Sequence, residues 1–240
     1  MNFCLDTHTH TIASGHAYST VTEMIETAKA KGLSLLAITE HAPTMPGSCH
    51  RFYFDNIRVL KGRDFGIEVL FGVELNILDY DGHVDLENQL LKKLDLKIAS
   101  LHGPCFKIGT SKENTDAYIN TMKNPYIDII GHPDDGRIPV DYPRLVEAAK
   151  KYGIALELNN TSLSPKSFRQ NAFENDLTYL KLCKEYEVPI TLGTDAHVCF
   201  DIGDFSYAEK VLEAVDFPEE LVLNTSLERF KKYLETRRKY

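Results

Sequence analysis

Nine histidines are the side chains of this chain best suited to chemistry, and they are unevenly placed. The densest group is Asp6-Thr-His8-Thr-His10, with three metal-capable side chains at every second position after the apolar start Asn2-Phe3-Cys4-Leu5. If that start is a short buried strand, side chains two apart share a face, so Asp6, His8 and His10 point together. Two imidazoles at such spacing on a rigid strand end can reach one cation, and histidine is the commonest metal ligand. The chemistry on offer is metal binding.

Those side chains need elements that bring them together. Apolar runs read as strands over residues 33–39, 67–77, 96–102, 127–132, 154–160 and 189–197. Between them lie helical patterns, the first capped by Ser19 or Thr20, with Glu23 at the N3 position if Thr20 is the cap, and ended by Gly32. Further helices are expected over residues 51–65, 86–91, 114–122, 141–152 (with Gly153 as cap), 171–186, 206–215 and 226–236. Asp81-Gly82 is a hairpin signal. With the first strand this makes seven strands alternating with helices, which specifies parallel βαβ units in one domain over residues 1–240.

In parallel α/β barrels the reacting side chains come from the C-terminal ends of the strands. Here those ends read His8/His10, His41, Glu74, His102, His132, Asn159/Asn160 and Asp195/His197, so six of the nine histidines fall on one rim. Imidazole and carboxylate without thiolate favour an open catalytic site over a closed structural one. Zinc, manganese and iron all suit such ligands. Glu74 has two oxygens and can bridge two cations, while Asp6 and Glu157 are expected to orient imidazoles from behind.

Composition narrows the function. The 240 residues are 43% hydrophobic and 26% charged, enough for a sizeable core. A net charge of −8 argues against a nucleic-acid duplex as main partner but is compatible with a small anion held by metals. No apolar run reaches the roughly 18 residues of a membrane span, and the chain starts in a strand without a charged leader, so a cytoplasmic protein is expected. Five cysteines without a C-x-x-C pair read as reduced thiols.

The motifs Asp-Thr-His-Thr-His10, Ile-Thr-Glu-His41, Gly-Val-Glu74-Leu-Asn, Leu-His102, Gly-His132-Pro and Thr-Asp195-Ala-His197 resemble the PHP (polymerase and histidinol phosphatase) family. The loop Ala-Ser-Gly-His16-Ala-Tyr-Ser-Thr and the segments Leu-Glu-Leu-Asn-Asn-Thr-Ser and Asp-Phe-Pro-Glu-Glu look most like its bacterial YcdX-type phosphatases. The resemblance implies a distorted (βα)7 TIM-like barrel with parallel strands and three metal ions, usually zinc. It assigns one ion to His8, His10, Glu74 and Asp195, a second to Glu74, His102 and His132, and a third to His16, His41 and His197. Glu74, Asp195 and His197 are taken as the residues nearest the chemistry.

The implied reaction is phosphoester hydrolysis of a small phosphorylated substrate, with a metal-bridging hydroxide attacking phosphorus in line. His50 and His83 match no ligand position and read as loop surface; Arg51, Lys107 and Arg137 are the basic side chains nearest the rim loops. Two rival readings stand beside this one. An amidohydrolase also begins with His-x-His and ends with a late Asp, but has no use for His16, His41 and His197. A non-catalytic metal-binding or regulatory module would keep the ligands without turnover. Whether copies assemble into a homo-oligomer is open at this level.

Overall fold

The computed structural model describes residues 1–238. Its first half runs β1 (Leu5–Asp6), α1 (Val21–Ala30), β2 (Leu35–Ile38), α2 (Phe52–Asn56), β3 (Glu68–Phe71), β4 (Val73–Asn76), α3 (Asn88–Leu91) and β5 (Lys97–Ser100). Then follow α4 (Ser111–Met122), β6 (Ile129–Ile130), α5 (Tyr142–Tyr152), β7 (Ala155–Asn159), α6 (Ala172–Tyr186), β8 (Ile190–Gly193), α7 (Ser206–Val215) and α8 (Leu227–Arg237).

All strand pairs are parallel, in the orders β1-β2-β3 and β4-β5-β6-β7-β8. The strand expected over residues 67–77 is thus broken in two at Gly72. A Cβ there would lie 2.3 Å from the Leu96 carbonyl oxygen, so only glycine lets the chain pass this close while changing partners. Backbone bonds join the two sheets on both sides. Gly72 and Glu74 donate to the carbonyls of Ile38 and Glu40 (2.8 and 2.9 Å), and Asp195 and His10 donate to those of His8 and Ala196 (2.8 and 2.9 Å). With β3 and β4 counted as one stave, the ring is the distorted, seven-stave TIM-like barrel.

Strand alternation divides the apolar residues. Outward side chains such as Leu156, Leu158, Ile190 and Leu192 pack with Leu145, Val146 and Leu180 of the surrounding helices. Inward ones at the lower end, including Leu5, Leu35, Ile98, Ile129 and Ala155, form a separate cluster closed by Phe230, Tyr233 and Leu234 of α8. The Tyr233 hydroxyl accepts from the Ala155 amide at 2.7 Å, locking this plug to the strands.

Local signals explain the helix ends. Thr20 and Glu23 form the expected capping box, and Thr110 with Glu113 forms a second that starts α4 three residues before the expected 114. Asp141 caps α5, which ends on Gly153 in the left-handed region. The helix expected over 51–65 is only α2 and a 3-10 turn, because Arg51 provides no side-chain cap and glycines follow at 62 and 66 with positive φ. Leu78 donates to the His83 carbonyl at 2.8 Å, closing the hairpin signalled by Asp81-Gly82. Among the described residues no helix is long and apolar enough to cross a membrane.

Candidate metal centre

The upper end of the barrel brings all nine expected residues to one place. Glu74, wholly buried on β4, is the hub: its Oε1 lies 2.8 Å from His132 Nε2 and 3.1 Å from His102 Nε2. Its Oε2 lies 2.6 Å from His41 Nδ1 and 3.5 Å from both His8 Nε2 and His10 Nε2. Asp195 Oδ1 sits 3.3 Å from His10 Nε2, 3.7 Å from His8 Nε2 and 3.6 Å from His197 Nδ1. The His16 ring stacks 4.9 Å from that of His41 and 4.8 Å from that of His197.

Three overlapping groups of donors emerge: His8, His10 and Glu74; His41, Glu74 and His102; His10, His41 and His197. His41 therefore reaches Glu74 as well as His16 and His197, so the third expected ligand set is not isolated from the other two. His50 and His83 are exposed, and neither belongs to these three groups.

Proton accounting shows that this arrangement fits cations. His8 Nδ1 faces Glu157 Oε1 at 2.7 Å, and a carboxylate only accepts, so Nδ1 holds a proton and Nε2 is the nitrogen that can give its lone pair once a cation replaces the second proton. Asn76 donates through its Nδ2 to Ala42 and Asp85, so its Oδ1 accepts from His102 Nδ1 at 2.8 Å, and His102 Nε2 is bare. His197 Nδ1 donates to the Asp195 carbonyl at 2.9 Å. His41 Nδ1, Glu74 Oε2 and His102 Nε2 are buried and lie within 2.6–3.1 Å of a neighbouring donor or acceptor, yet none of them makes a well-aligned hydrogen bond. Buried polar groups are almost always partnered, and lone-pair atoms crowded together without protons are what a metal ion satisfies.

Electrostatics agree. Burial raises the pKa of Glu74, but His102, His8 and His41 more than offset this and hold the carboxyl well below its ordinary value. Burial is likewise overcome at Asp195, by His8, His10 and Arg169, so it too is an anion. His10 is pushed well below the usual imidazole range by burial and by His41 and His197, which keeps it neutral and ready to ligate. At His8 burial opposes charge, yet Glu157, Glu74 and Asp195 hold its pKa well above the ordinary value. His8 and His10 Nε2 are 3.0 Å apart, a gap that requires a proton or a cation.

Backbone geometry marks the same spot. Asp195 (φ 53°) and His132 (φ 26°) adopt positive φ without being glycine, a strain of about 1–3 kcal/mol each that surrounding structure must hold and that clusters at functional sites. At Gly193 a Cβ would fall 2.1 Å from Glu157 Oε1, so glycine leaves the room in which Glu157 reaches His8. Asp6 does not touch an imidazole. It accepts from Thr194 N at 3.1 Å and Gly203 N at 3.0 Å and fixes the backbone leading to Asp195.

A cavity of about 800 Å³ opens above the cluster, lined by His16, His41, His102, His132, Asp195 and His197 and by the loop after β7. That loop supplies Arg169, which sequence reasoning missed. Its guanidinium is almost buried and donates to Asp195 Oδ2 (3.1 Å), Asn159 Oδ1 (3.1 Å) and Ser162 Oγ (2.9 Å). The one available signal was an arginine in the loop following Asn159-Asn160. Of the three basic residues expected near the rim, Arg137 lines the cavity, held by Asp135 and stacked 4.6 Å over Phe168. Arg51 instead pairs with Asp55 and Glu87, and Lys107 does not line the cavity. Burial pushes the Cys49 and Cys105 thiols up to about 11, so neither is a nucleophile at neutral pH.

A family model described as PHP domain matches residues 6–161, which carries seven of the nine donors. The chain belongs to the PHP family. A protein of Caldanaerobacter subterraneus subsp. tengcongensis named a probable phosphatase is 48% identical over 240 residues, covering 100% of this chain and 94% of its own. One of Clostridium novyi with the same description is 44% identical over 239 residues, covering 100% and 97%. Among solved structures, histidinol phosphate phosphatase from Lactococcus lactis, complexed with zinc, L-histidinol and phosphate, superposes with a TM-score of 0.62 at 20% identity, over 89% of this chain and 94% of that one. The phosphotriesterase homology protein of Escherichia coli gives 0.51 at 10% identity, over 98% and 100%. At such identities these two structures speak for the fold alone.

Proposed function

We propose that this PHP-family chain is a metal-dependent phosphatase that hydrolyses small phosphate esters, as one catalytic domain over its whole length. Three divalent ions would be held by His8, His10, His16, His41, Glu74, His102, His132, Asp195 and His197, with Glu74 shared between ions. The observation that carries this reading is the convergence of imidazole nitrogens and carboxylate oxygens, some without a well-aligned hydrogen bond, beneath an open cavity. Zinc suits the donor set best, and manganese or iron would also be accepted.

When bound, the ions would supply Lewis acidity toward the phosphoryl oxygens and lower the pKa of water to give the hydroxide nucleophile. The chain's own residues do the rest. Glu157, Asn76 and the Asp195 carbonyl hold imidazole protons on the far side of their rings. Arg169, pinned by three partners, offers a fixed cation at the cavity wall where phosphate charge is to be neutralised. Glu74, Asp195 and His197 border the reacting centre.

The amidohydrolase reading is disfavoured by the packing of His16, His41 and His197 into one stack on the rim. The test is hydrolysis of phosphomonoesters by the purified protein loaded in turn with zinc, manganese and iron, with metal content measured alongside. Turnover lost on chelation and regained on re-addition is expected. Bound metal without turnover on any phosphomonoester would move the binding-module reading ahead.

A further inference from the structure

Behind His10 lies a buried carboxylate that none of the ligand assignments uses. Glu40, at the end of β2 and fully buried, accepts from the Thr11 amide (3.0 Å), the Thr11 hydroxyl, the Ser14 hydroxyl (2.6 Å) and the Tyr53 hydroxyl (3.3 Å). Ser14 Oγ in turn stands 3.0 Å from His10 Nδ1 and accepts from the His41 amide at 3.0 Å. A hydroxyl has one proton. Because Glu40 Oε2 only accepts and is 2.6 Å away, Ser14 spends its proton there and can only accept from His10. His10 must then be protonated on Nδ1, which leaves Nε2 bare, facing His8, Glu74 and Asp195.

We propose that Glu40 is a positioning residue that acts through Ser14 to hold His10 in the one tautomer able to ligate a cation at the rim. The same carboxylate ties down Thr11, the cap of the short turn Ile12–Ser14 that leads to His16, and through Ser14 it steadies the backbone of His41. Three imidazoles from a loop and two strands are thereby set by one anion. This rests on reading the rim as a metal centre.

The test separates proton direction from mere packing. Glu40→Gln places its amide oxygen opposite the Thr11 N–H and Ser14, keeps the acceptor, and should leave zinc affinity within about threefold of wild type. Glu40→Met removes the acceptor, so Ser14 turns its proton to His10 Nδ1 and drives the proton of the ring to Nε2. Zinc affinity by chelator competition should fall about 10- to 100-fold, the usual cost of losing an outer partner. Adding Ser14→Ala to Glu40→Met takes away the misdirected proton and should restore part of the loss.

A double variant weaker than Glu40→Met alone, or a Glu40→Met protein with wild-type affinity, overturns the proposal. Should Glu40→Met fail to fold, nitrogen-15 NMR of the histidines in zinc-free wild type still decides, since His10 protonated on Nε2 contradicts it. Failure of wild type to bind zinc would instead sink the metal-centre reading, with the His10 tautomer still measurable.

Discussion

On β7 the inward side chain changes from Ala155 near the floor of the barrel to Glu157 and Asn159 toward the rim, and the other staves change in the same direction. Leu5 gives way to His8 and His10, Leu35 and Ala37 to His41, Leu70 to Glu74, Ile98 to His102, and Ile129 to His132. The floor is apolar and closed by Phe230 and Leu234 of α8. Above it, buried titratable groups face one another with orphaned atoms. The lower half gains stability from apolar burial, while the upper half carries desolvation and backbone strain that its imidazole–carboxylate pairs offset and that a bound cation would offset further. Damage to the two halves should therefore separate.

The largest effect expected is at the floor. Phe230→Ala removes a wholly buried ring and should cost about 3–5 kcal/mol of stability, read from urea midpoints, while metal per folded chain stays at the wild-type value. A variant that keeps its stability but loses metal would erase the division. At the rim, Glu74→Gln should lower turnover at least about 100-fold, roughly 2.7 kcal/mol in barrier, more than any single His→Ala change. Activity within about tenfold of wild type would mean that Glu74 bridges nothing.

Acid should act on the rim before the floor. Imidazoles bind metal only when neutral, so affinity is expected to fall as pH drops through the histidine range near 6.5. A metal-binding titration flat between about pH 5 and 8 would show that histidine does not dominate the site.

Much of this division is legible in the chain itself. Alternation and turn residues are local, so the order of strands and helices and the strand-end positions of the six rim histidines could be read directly. The break at Gly72 could not, because it depends on the Leu96 carbonyl arriving from β5. Arg169 looked like any loop arginine until the fold laid it on Asp195, and Asp6 looked like an imidazole partner until Thr194 and Gly203 came to it. What stayed hidden in each case was a contact between residues distant in sequence.

The smallest effect sharpens the comparison from outside the rim. Asp176 on α6 is wholly buried, both of its carboxylate oxygens lack a hydrogen-bond partner, and it is not among the donors of the metal centre. Burial, reinforced by the neighbouring Asp134, raises its pKa well above the ordinary value of 3.8. The folded chain then keeps a proton that the unfolded chain releases, so folded molecules bind more protons and stability falls as pH rises above about 4. Asparagine is also buried and polar but cannot ionise, and it lacks that slope. Asp176→Asn should match wild type near pH 4 and gain on it steadily toward pH 7, with metal content unchanged throughout. Urea midpoints of both proteins across that range are the measurement. Parallel curves would mean that Asp176 is ionised and paired in the folded protein.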